Sequence, residues 1–143
     1  MHNKIKAYGI ALYIKDNNSI KLLLCKSISS INRWGFLKGG EEKDDQTPKQ
    51  TAIREFKEES GISIDQSLLN KYFYQINDEK DIGIYLVDAT NLKYINKYFK
   101  NGLLLNKYLC KENSQVKFFD IDTLPEFKKK QNKILNKIIK DLR

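Results

Sequence analysis

The sequence predicts a mixed α/β domain, and three observations carry that expectation. Runs of β-branched and aromatic residues recur along the chain, each bounded by Asn-, Asp- or Gly-rich turns. One central segment has helical periodicity with a start and a stop signal, and a second amphipathic segment closes the chain. The length of 143 residues, with 41% hydrophobic and 31% charged residues, suits one domain over residues 1–143 that can bury a core without staples.

Residues 4–15 read as a strand, followed by the turn Asp16-Asn17-Asn18-Ser19 and a second strand over 20–26. A polar loop from Ser27 to Arg33 leads into Trp34-Gly35-Phe36-Leu37-Lys38-Gly39-Gly40. After an acidic stretch, Thr47-Pro48 has the form of an N-cap followed by proline at the first helical position. That helix is expected over about 47–60, with Gly61 supplying a left-handed stop. Residues 72–76 and 82–89 read as antiparallel strands joined around Asn77-Asp78-Glu79-Lys80. Residues 90–111, rich in Lys, Asn and Tyr, carry no assignable pattern, and 116–121 reads as a short strand. Pro125 is the expected start of a C-terminal helix whose apolar stripe is Phe127, Ile134, Leu135, Ile138, Ile139 and Leu142.

Charge and cysteine usage exclude several classes. The net charge is +8, and Lys128–Arg143 alone holds seven basic residues against Asp141. A solvated helix face accounts for that excess; the other reading is a surface for a polyanion such as RNA. Cys25 and Cys110 lack metal-ligand spacing and read as reduced thiols of a cytoplasmic protein. Apolar runs such as Leu22-Leu23-Leu24-Cys25 are far too short to span a membrane, and Met1–Lys6 lacks the apolar stretch of a secretory signal. His2 lies where a terminus frays and is not expected to be catalytic.

The chemistry concentrates between Gly39 and Ile62. At about 100° per residue, Glu55, Glu58 and Glu59 fall within an arc of about 100°, while Ile53 and Phe56 face the core. Like charges so spaced repel, and a hard divalent cation would reverse that penalty. Taken alone, Glu-Lys-Glu-Glu also reads as a solvated acidic face with Arg54 paired to Glu58 at i,i+4. The wider spacing is Gly40-x5-Gln46-x7-Arg54-Glu55-Phe56-x-Glu58-Glu59-x-Gly61-Ile62. It resembles the Nudix box, Gly-x5-Glu-x7-Arg-Glu-U-x-Glu-Glu-x-Gly-U (U, bulky apolar), at eight of nine defined positions.

The resemblance to Nudix hydrolases implies an α/β/α sandwich around a mixed β-sheet. It implies that Glu55, Glu58 and Glu59, helped by the carbonyl of Gly40, hold Mg²⁺ or Mn²⁺, and that Arg54 orients those carboxylates. The implied reaction is metal-dependent hydrolysis of a nucleoside diphosphate linked to another moiety. Glu58 or Glu59 can serve as base; outside the box the candidate is Glu112, which reads equally as an exposed loop acid. Asp78, Glu79 and Asp81 read as turn acids. Lys38 and Arg33 are candidates for substrate phosphates. Trp34 and Phe36 read as core or loop anchors, and Tyr72, Tyr74 and Tyr85 as sheet packing or a nucleobase stack.

Two departures bear on activity. Gln46 stands where the family has Glu, which implies reduced or altered activity. Leu37 stands where relatives acting on dinucleoside polyphosphates often read Trp-x-x-Pro-Lys-Gly-Gly. The run Trp34–Gly40 nevertheless leans toward hydrolases of diadenosine tetraphosphate. The alternatives are an RNA 5′-pyrophosphohydrolase, which a basic C-terminal helix would suit, and a weakened domain that only binds nucleotide or RNA.

Overall fold

The computed structural model describes residues 4–30 and 32–143; the expectations for His2 and for the first residues of the N-terminus lie outside that range. Strand β1 (Ile5–Asp16) turns through Asn17, at φ 56°, into β2 (Ser19–Ser27), as the Asn-rich turn predicts. Strand β3 (Leu37–Gly40) follows, then helix α1 (Pro48–Ser60), β4 (Lys71–Gln75) and β5 (Lys80–Asp88). Short strands β6 (Phe99–Lys100) and β7 (Leu103–Leu104), strand β8 (Asn113–Asp120) and helix α2 (Asn132–Leu142) complete the chain.

The strands form one mixed sheet in the order β4-β5-β1-β2-β8-β7-β6, with β1 and β5 parallel and the other pairs antiparallel. On its edge away from β5, β1 pairs first with β3 (Ala7–Ile10) and then with β2 (Tyr13–Asp16), so the sheet forks there. Alternation along β1 explains the two cores. Tyr8, Ile10 and Leu12 pack with Ala52 and Phe56 of α1 on one face. Ala11 joins Ile82, Ile84, Trp34 and Phe36 beneath Ile134, Leu135 and Ile138 of α2 on the other. This is the expected α/β/α sandwich. Phe56 is fully buried, and its truncation to Ala is expected to cost about 3–5 kcal/mol.

Two segments depart from the sequence reading. Residues 90–111 fold into tight helical turns, Lys93–Tyr98 and Asn106–Tyr108, around a β6–β7 hairpin that places Asn101 and Gly102 at positive φ. The C-terminal helix begins at Asn132, not at Pro125. The chain before it is held extended, because Trp34 N–H donates to Glu126 O and Lys128 N–H donates to Trp34 O. Phe127 is accordingly buried beside Phe36 rather than on a helical stripe. Lys128, Lys129 and Lys130 therefore precede the helix. The helix start is satisfied from a distance: Ile134 N–H donates to the side-chain oxygen of buried Gln75 in β4 (2.8 Å). No helix among the described residues is long and apolar enough to cross a membrane.

Candidate active site

Helix α1 starts where its sequence dictates. Thr47 Oγ1 accepts from Gln50 N–H (3.2 Å), Pro48 follows, and Gly61 closes the helix at φ 76° with its N–H on Lys57 O. The helix lays its acidic face against the end of β3. At Gly39 a Cβ would run into the carboxylate of Glu55, so only glycine lets that side chain lie across the strand. Gly39→Ala is expected to displace Glu55 and lower turnover about a hundredfold, read as kcat beside an unchanged circular dichroism spectrum.

Arg54 sits at the centre of the ridge. Its Nη1 donates to Glu58 (3.1 and 3.2 Å) and to Glu55 Oε2 (3.4 Å), and its Nη2 donates to the Gly40 carbonyl (2.9 Å). Glu42 completes the acidic surround at 3.3 Å from Nη1. The strongest partner is a residue that the spacing of the box does not single out. Asp45 Oδ2 accepts from Arg54 Nη2 at 2.7 Å, and Asp45 Oδ1 accepts from Nε at 3.1 Å. Asp45 also accepts from Glu42 N–H (2.9 Å) and Thr51 Oγ1 (3.0 Å), and its side chain is only 8% exposed. These donors, the guanidinium first, hold its carboxyl well below the usual range, and Asp45 in turn raises Arg54. Gln46 is exposed, and its N–H donates to Gln50 Oε1. The carboxylate that faces Arg54 is thus that of Asp45, the residue before Gln46.

Glu59 lies deeper. Its Oε1 accepts from Asn113 Nδ2 (3.2 Å), while its Oε2 is buried without a hydrogen-bond partner. Burial, with the charges of Glu55 and Glu112 adding to it, pushes the Glu59 carboxyl up to about 8 against the lowering effect of Asn113 and Lys38. Burial and the adjacent Glu58 raise Glu55 as well. An unpartnered buried carboxylate oxygen costs free energy, and an oxygen-only set of carboxylates and one carbonyl is the donor chemistry that Mg²⁺ or Mn²⁺ takes. The donor types fit such an ion. Among the described residues no three carboxylates are drawn together around a common point, since Arg54 holds Glu55 and Glu58 and Asn113 holds Glu59.

The remaining candidates divide. Lys38, half-buried, feels Glu59, and burial together with Lys80 and Lys128 pushes its ammonium down to about 8. Glu112 is exposed in the turn before β8, close enough for its charge to act on Glu59; its carbonyl accepts from Ile28 N–H. Arg33 is turned to Glu126 (3.7 Å). Trp34 and Phe36 are core residues, in edge contact with Phe119 and Phe127. Tyr85 is buried, while Tyr72 is 43% exposed and packs between Tyr74 and Tyr85. Asp81 is no turn acid: it is buried and accepts from Tyr74 Oη (3.0 Å), Asn77 N–H and Lys4. Asp45 and Asn113 are the residues that sequence reading missed. Asp45 had one available signal, an acid beside the missing Glu.

A carboxylate ridge ordered by one arginine thus lies at a twin-glycine strand end, inside an α/β/α sandwich. The chain belongs to the NUDIX domain family, whose model matches residues 5–142. A Caenorhabditis elegans Ap4A hydrolase in a binary complex is similar in fold, with TM-score 0.63 and 19% identity over 96% of this chain and 94% of that one. The NUDIX domain of Shewanella oneidensis NrtR, complexed with ADP ribose, matches with TM-score 0.64 and 13% identity over 100% and 91%. A MutT NUDIX hydrolase from Burkholderia pseudomallei matches with TM-score 0.64 and 17% identity over 96% and 99%. No curated protein matches the sequence.

Proposed function

We propose that this protein is a divalent-metal-dependent pyrophosphohydrolase that cleaves a dinucleoside polyphosphate such as diadenosine tetraphosphate. The observation that carries the reading is the set of contacts from Arg54 to Asp45, Glu55, Glu58 and the Gly40 carbonyl, beside a buried Glu59 oxygen that lacks a partner. The fold likeness to an Ap4A hydrolase and the Trp34–Gly40 run support the substrate class. Glu55, Glu58, Glu59 and the Gly40 carbonyl would hold Mg²⁺ or Mn²⁺. When bound, such an ion neutralises charge on the phosphoryl oxygens and lowers the pKa of a water.

The chain's own residues supply the rest. Arg54 fixes the carboxylates through a guanidinium that is itself fixed by Asp45. Lys38 donates to a substrate phosphate, and Arg33 stands further out. Glu112 takes the proton of the attacking water. Its carboxylate has no hydrogen-bond or ion-pair partner among the described residues, whereas Glu58 and Glu59 are both engaged. Burial of the Cys25 thiol suits the reducing cytoplasm.

Hydrolysis of an RNA 5′ end is the second reading, favoured by Lys128–Lys130 in a cleft that Lys38 also lines. A weakened, binding-only domain is disfavoured, because Asp45 supplies the charge that Gln46 lacks. Incubation with a panel of nucleotides and 5′-triphosphorylated RNA in Mg²⁺ or Mn²⁺, with products separated by chromatography, tests the assignment. Release of ATP and AMP from diadenosine tetraphosphate is the expected result; turnover of RNA ends alone contradicts it.

A further inference from the structure

The face of the sheet that carries α2 holds an open cleft of about 1020 Å³. Six cationic side chains line it: Arg33, Lys38, Lys80, Lys128, Lys129 and Lys130. Among the described residues only Asp78 and Glu79 oppose them on its walls. Among the described residues Arg33 alone of the six has an ion-pair partner, Glu126. Lys38, Lys80 and Lys128–Lys130 line one and the same cleft, so the charges converge rather than scatter. Convergence of unpaired like charges disfavours the fold, and a polyanion reverses the penalty.

The backbone that presents the lysines is built to stay in place. Lys130 O accepts from Gln75 Nε2 (2.6 Å) and Asn77 Nδ2 (3.3 Å). Lys128 N–H is tied to Trp34 O, and the adjacent Gln131 is buried with its side-chain oxygen on Phe36 N–H (2.9 Å). Lys38 joins this cleft to the carboxylate ridge, since it lines the cleft and precedes Gly39, against which the Glu55 carboxylate lies. The lining ends at Gln131, and Lys133, Lys137 and Lys140 of α2 do not extend it. Lys137 instead donates to Tyr74 O. A pocket of charge, rather than a stripe along a helix, fits a compact polyphosphate better than a long nucleic acid.

We infer that this cleft binds the phosphates of the substrate that lie beyond the scissile linkage. Lys80 and Lys128–Lys130 then select nucleotides with three or more phosphates in a row over those with two. The inference rests on the reading of the chain as a nucleotide pyrophosphohydrolase, but its test does not require turnover.

Calorimetric titration in EDTA with inorganic tripolyphosphate and with pyrophosphate, at low and high salt, reads the cleft directly. The intact chain is compared with K128Q/K129Q/K130Q, whose side chains are partly or fully exposed and whose melting temperature should hold or rise as the like-charge repulsion is relieved. Expected is a loss of roughly tenfold or more in tripolyphosphate affinity, steeper at low salt, with pyrophosphate affinity within about twofold. K80Q alone should give a smaller loss of the same kind. Equal tripolyphosphate affinity in all variants overturns the inference. So does an RNA carrying a 5′-hydroxyl that binds as tightly as tripolyphosphate and loses affinity equally in the variant. If diadenosine tetraphosphate proves not to be hydrolysed while tripolyphosphate binding still depends on these lysines, the substrate assignment fails and the cleft assignment stands.

Discussion

Replacing Glu59 by Gln is expected to remove about 10²–10³-fold from kcat while the chain remains folded. The side chain is held by Asn113 through Oε1 alone, and its buried Oε2 meets no donor. Glutamine keeps the volume and can still accept from Asn113, so packing around the helix survives. What it loses is the negative charge that a cation on the ridge requires. Glu58→Gln should act similarly, because its two oxygens face Arg54 and it belongs to the same charged surface. The check is kcat at saturating metal beside a thermal melt. Retained turnover in both variants removes the ridge from the reaction.

Asp45→Asn is the second large effect. Its carboxylate binds Arg54 through both oxygens and is 8% exposed, against 22% for Arg54. Asparagine takes from Arg54 its shortest and least exposed charged partner, while Glu42, Glu55 and Glu58 still surround the guanidinium, so the cost is that of a charged hydrogen bond, about 1.5–3 kcal/mol. Arg54 then loses its anchor and the carboxylates their common donor, for a loss of roughly 10–100-fold in kcat. Gln46→Glu, in contrast, should change kcat by less than about threefold, because position 46 is exposed and its side chain makes no hydrogen bond with Arg54 or its partners among the described residues.

The pair also sets an acid limb. Asp45 is held below its unfolded pKa of about 3.9, so its stabilisation is complete above about pH 4 and is lost as pH falls through the folded value. The stability gap between the intact chain and Asp45→Asn in urea should therefore narrow below pH 4. A gap independent of pH would contradict the ion pair.

Much of this arrangement was legible in advance because it is local. Caps at Thr47 and Gly61, the arc of Glu55, Glu58 and Glu59, and the turn at Asn17 all follow from spacings within a few residues. The division of the strand residues between two cores follows from alternation, whereas the parallel β1–β5 pairing, which sets Ile5 against Lys80, is a long-range contact that no local pattern announces. What was not legible depends on contacts between distant segments. Pro125 has every local sign of a helix start, yet Trp34 holds that stretch extended and Gln75 takes over the cap of α2. Residues 90–111 form elements of two to six residues, too short to show a period. Asp45 binds Arg54 from outside the defined positions of the box, so a spacing rule does not mark it. Asn113 reaches Glu59 across 54 positions, which no motif window covers.

The most direct test is electron paramagnetic resonance of Mn²⁺ with a non-hydrolysable methylene analogue of the dinucleotide. The intact chain is compared with Glu55→Gln/Glu59→Gln. The account predicts protein-bound Mn²⁺ in the first and a return to the spectrum of free Mn²⁺–nucleotide in the second. Identical spectra from the two proteins would contradict it.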